Sequence, residues 1–202
     1  MNDESLIQMH PQERMLLHNL VEGKYYLEIG SGYSTAWVAN LCDKVDSVET
    51  REEWFRKVKT YTDEHCSNVT LYHFPPEECA YDDNGYETLI SLGRGGSGYG
   101  TAEEFKSYIQ SIKKLILKND YDVIMIDGNV RNELVHLLKD IKFSGIFMVH
   151  DLSVDHKGRI DLSVDNKGNI YDFFDFPELD IIDTKLSLGT FKFIWETNND
   201  DI

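Results

Sequence analysis

The chain has 202 residues, 41% of them hydrophobic and 12% aromatic, enough for one domain (residues 1–202) with a sizeable core. With 20 basic against 36 acidic residues the formal charge is −16, and no basic stripe offsets it, which disfavours nucleic acid and anionic lipid as partners. No run of about 18 apolar residues occurs, the start lacks a signal-peptide pattern, and the three cysteines (Cys42, Cys66, Cys79) form no C-x-x-C pair, so the expectation is a cytoplasmic chain with no membrane span, disulfide framework or zinc site.

Pro11 suits a first helical turn, and Met15, Leu16, Leu17, Leu20 and Val21 follow before Gly23, which predicts a leading amphipathic helix. Residues 24–29 form a short apolar, aromatic run, hence a strand, followed by a tight turn over 30–35 and a short helix over 36–41. Residues 44–49 predict a second strand, 51–64 a helix with Trp54, Phe55 and Val58 on one face, and 68–74 a third strand stopped by Pro75 and Pro76. Residues 77–100 break the rhythm. This stretch carries Tyr81, Tyr86 and Tyr99 and closes on a glycine-rich run, as expected of a long loop or insertion.

Thr101 with Glu104 reads as a capping box for a helix reaching about Lys118, whose Ile109, Leu115 and Ile116 make a core stripe. Residues 121–126 and 145–150 are nearly continuous apolar runs, as in parallel strands buried on both faces, with a helix over 130–140 between them. Residues 151–160 and 161–170 are a tandem repeat, DLSVDHKGRI and DLSVDNKGNI, identical at eight of ten positions. Two such short units cannot stack a solenoid, and they lack the ligand spacing of an EF-hand, so a small β-meander is expected. Strands near 179–182 and 190–195 close the chain.

Alternating strands and helices predict an α/β fold: a Rossmann-like, doubly wound, mostly parallel sheet with helices on both faces and an antiparallel C-terminal strand pair. Ligands of such sheets bind at the carboxyl ends of the strands. There the sequence places Glu28-Ile-Gly-Ser-Gly32 after the first strand and Glu49 at the end of the second, 21 residues beyond Glu28. An acid in that place can accept both hydroxyls of a ribose. The third glycine of a dinucleotide fingerprint is missing, and Glu28 would repel a diphosphate but suits an amino group. A nucleoside carrying an amino acid therefore fits better than NAD.

LEIGSGYSTAWVA resembles the first motif of class I S-adenosylmethionine-dependent methyltransferases, and VDSVET their ribose-binding acidic motif. DVIMIDGNVR and SGIFMVHDL resemble the motifs of their fourth and fifth strands, and the wording is similar to that of small O-methyltransferases, including sugar-modifying ones. The similarity covers roughly residues 20–151. It implies that Glu28, Gly30 and Gly32 line the methionine part of S-adenosyl-L-methionine, that Ser34 and Thr35 bond its carboxylate, that Glu49 takes the ribose, and that residues near Phe74 flank the adenine.

It further implies methyl transfer to a hydroxyl, most simply of a sugar or glycan, with Asp127, His150 and Asp151 as candidate catalytic residues. His150 would act near neutral pH. Arg131 would brace the loop after Asp127 or hold the acceptor, and Tyr99 would reach the acceptor from the loop. A divalent cation (Mg2+ or Mn2+) on Asp127 and Asp151 is the weaker expectation, because Leu152 stands where metal-dependent relatives carry another Asp or Asn. Further readings are methylation of a small phenol or a protein side chain, a place within a larger glycan-building enzyme, and a non-catalytic nucleoside-binding partner protein.

Overall fold

The computed structural model describes residues 7–77, 102–154, 160–165 and 171–195, the last stretch of the repeat region (154 and 160–165) as backbone only. Among the described residues five helices and nine strands follow one another in the expected order. Helix α1 (Pro11–Val21) precedes β1 (Tyr25–Ile29), α2 (Tyr33–Val38), β2 (Lys44–Glu49), α3 (Glu52–His65) and β3 (Val69–His73). Then come α4 (Lys106–Lys118), β4 (Val123–Ile126), α5 (Arg131–Asp140) and β5 (Ile146–Val149), followed by β6 (Leu152–Val154), β7 (Ile160–Asp165), β8 (Leu179–Lys185) and β9 (Leu188–Phe193).

Seven strands form one sheet in the order β3-β2-β1-β4-β5-β9-β8. The first five are parallel, in registers such as Glu28 opposite Ser47 and Met125. β9 runs antiparallel to β5 and β8 antiparallel to β9. The strand order reverses direction between β1 and β4, the switch point at which an open parallel sheet leaves a crevice at its carboxyl edge.

Side-chain alternation along the buried strands divides the core into two layers. Tyr26, Met125 and Met148 pack with Leu17 and Val21 of α1 and Val38 of α2. Leu27, Ile29, Ile124 and Ile126 pack with Ile112 and Ile116 of α4, Leu134 and Leu138 of α5, and the aromatic rings of the closing strands. Helices therefore cover both faces, and β4 and β5 read as unbroken apolar runs because neither face meets water.

Three local expectations change. Met15 is 60% exposed, off the buried stripe that Leu16, Leu17 and Val21 supply. The helix expected from Thr101 starts at Lys106, after a turn over 102–105 that buries Phe105, and Thr101 itself lies outside the described residues. The repeat forms a separate two-stranded antiparallel ribbon, β6 on β7, with Ser153 opposite Asp161 and Val154 opposite Ile160. Its turns at 155–159 and 166–170, like most of the 77–100 loop with Tyr81, Tyr86 and Tyr99, lie outside the described residues. Among the described residues no helix is long and apolar enough to cross a membrane.

The turn after β1 is fixed by backbone alone. Gly30 takes φ +108°, and its N–H and that of Ser31 donate to the Val48 carbonyl at 2.9 and 3.2 Å. A Cβ at Gly30 would lie 2.7 Å from the carbonyl carbon of Asp127 and 2.8 Å from its oxygen. No side chain can relieve that overlap, since backbone is on both sides. Gly30→Ala is expected to lower unfolding free energy by about 2–4 kcal/mol in urea titrations, through a left-handed strain and a backbone clash together. A loss under about 0.5 kcal/mol would mean that the β1 and β4 turns do not touch.

Candidate functional site

Four strand ends supply the side chains. From β1, Glu28 is buried, and its carboxylate accepts hydrogen bonds from Ser34 Oγ at 2.6 Å, Ser47 Oγ at 2.8 Å and Thr35 Oγ1. Burial pushes its carboxyl up to about 7 against the pull of these three hydroxyls. Glu28 thereby ties the start of α2 and the neighbouring strand β2 to β1. Thr35 completes the clasp by accepting the Gly32 N–H at 3.1 Å, and the Trp54 indole N–H reaches the Ser31 carbonyl at 2.7 Å. The hydroxyls of Ser34 and Thr35 are engaged by Glu28, so the role the sequence suggested for them, bonding a carboxylate, meets a pair already donating inward. Gly32 is extended at φ −155°, a conformation open to any residue.

From β2, Glu49 is 7% exposed. Its Oε1 accepts three bonds: the N–H groups of Thr50 and Arg51, both at 2.8 Å, and the Thr50 hydroxyl at 3.3 Å. All the bonds that the described residues make to this side chain fall on that one oxygen. Burial raises its pKa, with the two backbone N–H groups opposing. The adjoining β3 end is bound to it through main chain, Phe74 N–H to the Glu49 carbonyl at 2.9 Å, which sets Phe74 beside the acid. Asn129, after β4, donates to Thr50 Oγ1 at 3.3 Å and closes the rim between the two strand ends.

From β4 and β5 come Asp127, His150 and Asp151, grouped by Arg131 of α5. The guanidinium is almost wholly buried. Its Nε donates to the Gly128 carbonyl at 3.0 Å, one terminal nitrogen donates to the His150 carbonyl, and the other lies 3.1 Å from both Asp127 Oδ1 and Asp151 Oδ2. Of the two roles the sequence allowed for Arg131, it performs that of a brace. The two carboxylates remain about 30% exposed, facing the mouth. Val130 and Asp151 both take positive φ, at 48° and 60°, an uncommon state above all for the β-branched Val130.

His150 lies beneath, 5% exposed. Its Nδ1 is 3.2 Å from Asp127 Oδ1 and 3.8 Å from Asp151 Oδ1, and its Nε2 is 3.6 Å from Glu13 Oε2. Burial alone lowers an imidazole's pKa, but bonds to Asp127 and Glu13 and the nearby charges outweigh it and push His150 up to about 10. The direction of this shift runs against the near-neutral proton acceptor that the sequence suggested. Glu13 is the member that sequence reasoning missed. It reads as the acid of a capping box with His10, which it also is. The available signal was its place three and four residues before Leu16 and Leu17, on the buried face of α1.

One ligand atom each from Asp127, His150 and Asp151 lies within 4.8 Å of the others, the geometry of a three-ligand metal set. The donor chemistry does not fit a divalent ion as it stands. His150 Nδ1 is turned on Asp127, and a guanidinium nitrogen already sits between the two carboxylates. A metal would have to displace both of the chain's own cations.

The sign of the His150 shift fixes a pH dependence. Its folded value stands above the ordinary 6.5, so its stabilisation is complete below about 6.5 and is lost as pH rises to about 10. Glu28, raised to about 7, gives its own loss earlier, across roughly 4.5 to 7. Wild-type stability is expected to fall by on the order of 3 kcal/mol between pH 7 and pH 10, and His150→Gln to flatten that fall in the same denaturation series. Parallel curves for the two proteins would show that His150 is not charged in the folded state.

No protein-family model matches the chain, and no curated protein matches it. Among solved structures it resembles a methyltransferase-like protein from Silicibacter pomeroyi, at 18% identity over 93% of this chain and 88% of that one, with a TM-score of 0.63. It also resembles a protein in the NADB-Rossmann superfamily from Streptococcus agalactiae, at 11% identity over 95% and 71% of the two chains, with a TM-score of 0.50. At these identities the likeness is one of fold: the chain carries a Rossmann-like sheet of the kind found in methyltransferase-like proteins.

Proposed function

We propose that the chain is an S-adenosyl-L-methionine-dependent O-methyltransferase whose acceptor is a hydroxyl of a sugar or glycan. The observation that carries the reading is Glu49. Its carboxylate ends β2, the neighbour of β1 at the sheet's carboxyl edge, one oxygen fixed by two backbone N–H groups and a hydroxyl, the other making no bond to a described residue. A pre-anchored acid of this kind suits a ribose diol. Phe74 beside it supplies a ring for the adenine, and Gly30 brings bare backbone to the crevice between β1 and β4. Glu28 serves the cofactor through the loop it clasps rather than by touching it. The shared fold with a methyltransferase-like protein supports the same assignment.

When bound, the cofactor supplies a methyl group on a sulfonium, and transfer then needs a nucleophile in line and a place for its proton. Asp127 and Asp151 provide that place. Both are partly exposed carboxylates at the mouth, with Arg131 and His150 behind them. One would accept the proton of the acceptor hydroxyl, and the other a hydrogen bond from a neighbouring hydroxyl. A pair of acceptor oxygens in an acidic protein favours a neutral polyol over a phosphorylated or nucleic-acid acceptor.

Isothermal titration with S-adenosylhomocysteine tests the assignment. The wild type is expected to bind, and Glu49→Ala to bind about 10- to 100-fold more weakly, a loss of about 1–3 kcal/mol. Absence of binding by folded wild type overturns the methyl-transfer reading, and equal affinities remove Glu49 from the site. Labelled cofactor incubated with a panel of mono- and oligosaccharides then tests the acceptor, with phenols and protein as the contrasting arms.

A further inference from the structure

Away from the strand mouth, a second concavity lies between α2 and α3. Its volume is about 270 Å3, and Tyr33 and Ala36 of α2 face Trp54, Val58 and Tyr61 of α3 across it. Tyr33 and Ala36 are three residues apart, and Trp54, Val58 and Tyr61 follow at steps of four and three, so each set occupies one face of its helix. Ala36 and Val58 are buried, the three rings partly exposed, and the short Ala36 side chain leaves the space that the rings line. Of the residues assigned to the strand mouth, Gly32 alone borders this cavity.

The aromatic walls are fixed by contacts of their own. The Trp54 indole N–H donates to the Ser31 carbonyl at 2.7 Å, and Tyr33 stands edge-on to Trp54, at 85° with ring centroids 5.7 Å apart. A positive charge is held with them. On the exposed side of α3, Arg56 and Lys59 pair with Glu52 and Asp63 one turn away. Lys57 has Glu53 at the same spacing, yet it makes no ion pair with a described residue. Its Nζ lies instead 4.5 Å from the Trp54 ring centroid and 5.4 Å from that of Tyr33. Ring faces attract an ammonium without taking up its three N–H donors, which stay available to an anion.

We infer that this cavity binds a small, flat, apolar molecule bearing one carboxylate: its rings enter between Trp54, Tyr33 and Tyr61, and its carboxylate pairs with Lys57. Size, surface and charge each point that way. Small-molecule sites run from roughly 300 to 1,000 Å3, and a cavity near the lower end suits one or two fused rings. Aromatic walls stack best against another ring, offset or edge-on. Glu64 also lines the cavity, seven residues beyond Lys57 and so about 10 Å farther along the helix axis. One end therefore carries a cation and the other an acid, which gives a monoanion a single favourable direction of entry. A second negative group would meet Glu64 and a chain of charge −16. The site does not depend on what binds at the strand ends.

2-Naphthoate is the probe, with 2-naphthamide as its neutral isostere and 2-naphthylmethylammonium as its cationic counterpart. Proton–nitrogen correlation spectra carry one indole N–H signal for each of Trp37, Trp54 and Trp195, and Trp54→Phe identifies that of Trp54. 2-Naphthoate is expected to shift the Trp54 signal saturably, with half-saturation below about 1 mM, and to leave Trp195 unmoved. The amide is expected to bind at least about 10-fold more weakly, as is 2-naphthoate to Lys57→Met, which keeps an apolar stem and loses the charge. Lys57→Arg keeps the charge and is expected to stay within about threefold of wild type. No saturable shift of Trp54 by 2-naphthoate overturns the inference. So does undiminished affinity of Lys57→Met, an amide that binds as well as the carboxylate, or an ammonium compound that binds better. If Lys57→Met gives no cooperative melt, the ratio of carboxylate to amide affinity in the wild type decides.

Discussion

A single buried carboxylate shared by three hydroxyls holds the strand mouth together. Glu28 collects Ser34, Thr35 and Ser47 at one point, and so joins β1, β2 and the start of α2, three pieces whose relative placement decides whether a crevice exists at all. The turn that links them cannot hold itself. The N–H groups of Gly30 and Ser31 both bond the Val48 carbonyl of β2, and the far side of Gly30 is already in contact with the turn after β4. Burial makes the acid more willing to keep a proton near neutrality, while the hydroxyls stabilise it without one. Either state offers the same three contacts, so the clasp survives a change that would disrupt an ion pair.

The ends of β4 and β5 are built on the opposite principle, with charge rather than hydroxyls. Two carboxylates that would repel one another are drawn together by one guanidinium and lie beside the His150 ring, whose other nitrogen faces a further acid from α1. The two halves of the mouth therefore differ in kind: a hydroxyl-lined clasp where β1 and β2 end, and a cluster of charged side chains where β4 and β5 end.

Much of this was legible in the sequence. The strands announced themselves as apolar runs because both faces of β4 and β5 are covered, and the spacing of Glu28 and Glu49 followed from two successive parallel strands ending at one edge. Asp127, His150 and Asp151 lie together for the same reason. Their states were not. His150 also faces Glu13, remote in sequence and disguised as a helix cap, and periodicity carries no information about which buried acid meets which ring. Arg131, in the first turn of a helix, has the appearance of a surface charge until the turn after β4 folds over it. The capping-box reading of Thr101 and Glu104 failed because Phe105 is drawn into the core, and the chain turns there before the helix can begin.

The two copies of the repeat pair with one another in a ribbon of their own, outside the seven-stranded sheet. The ribbon leaves the core at Leu152 and the chain returns to it at Tyr171, both buried. A unit duplicated or deleted between those anchor points would lengthen or shorten a projecting arm beside Asp151 while leaving every register of the main sheet intact. Ten-residue copying errors, ordinarily ruinous inside a parallel sheet, thus fall at a place where the gene can vary in length and the fold does not notice.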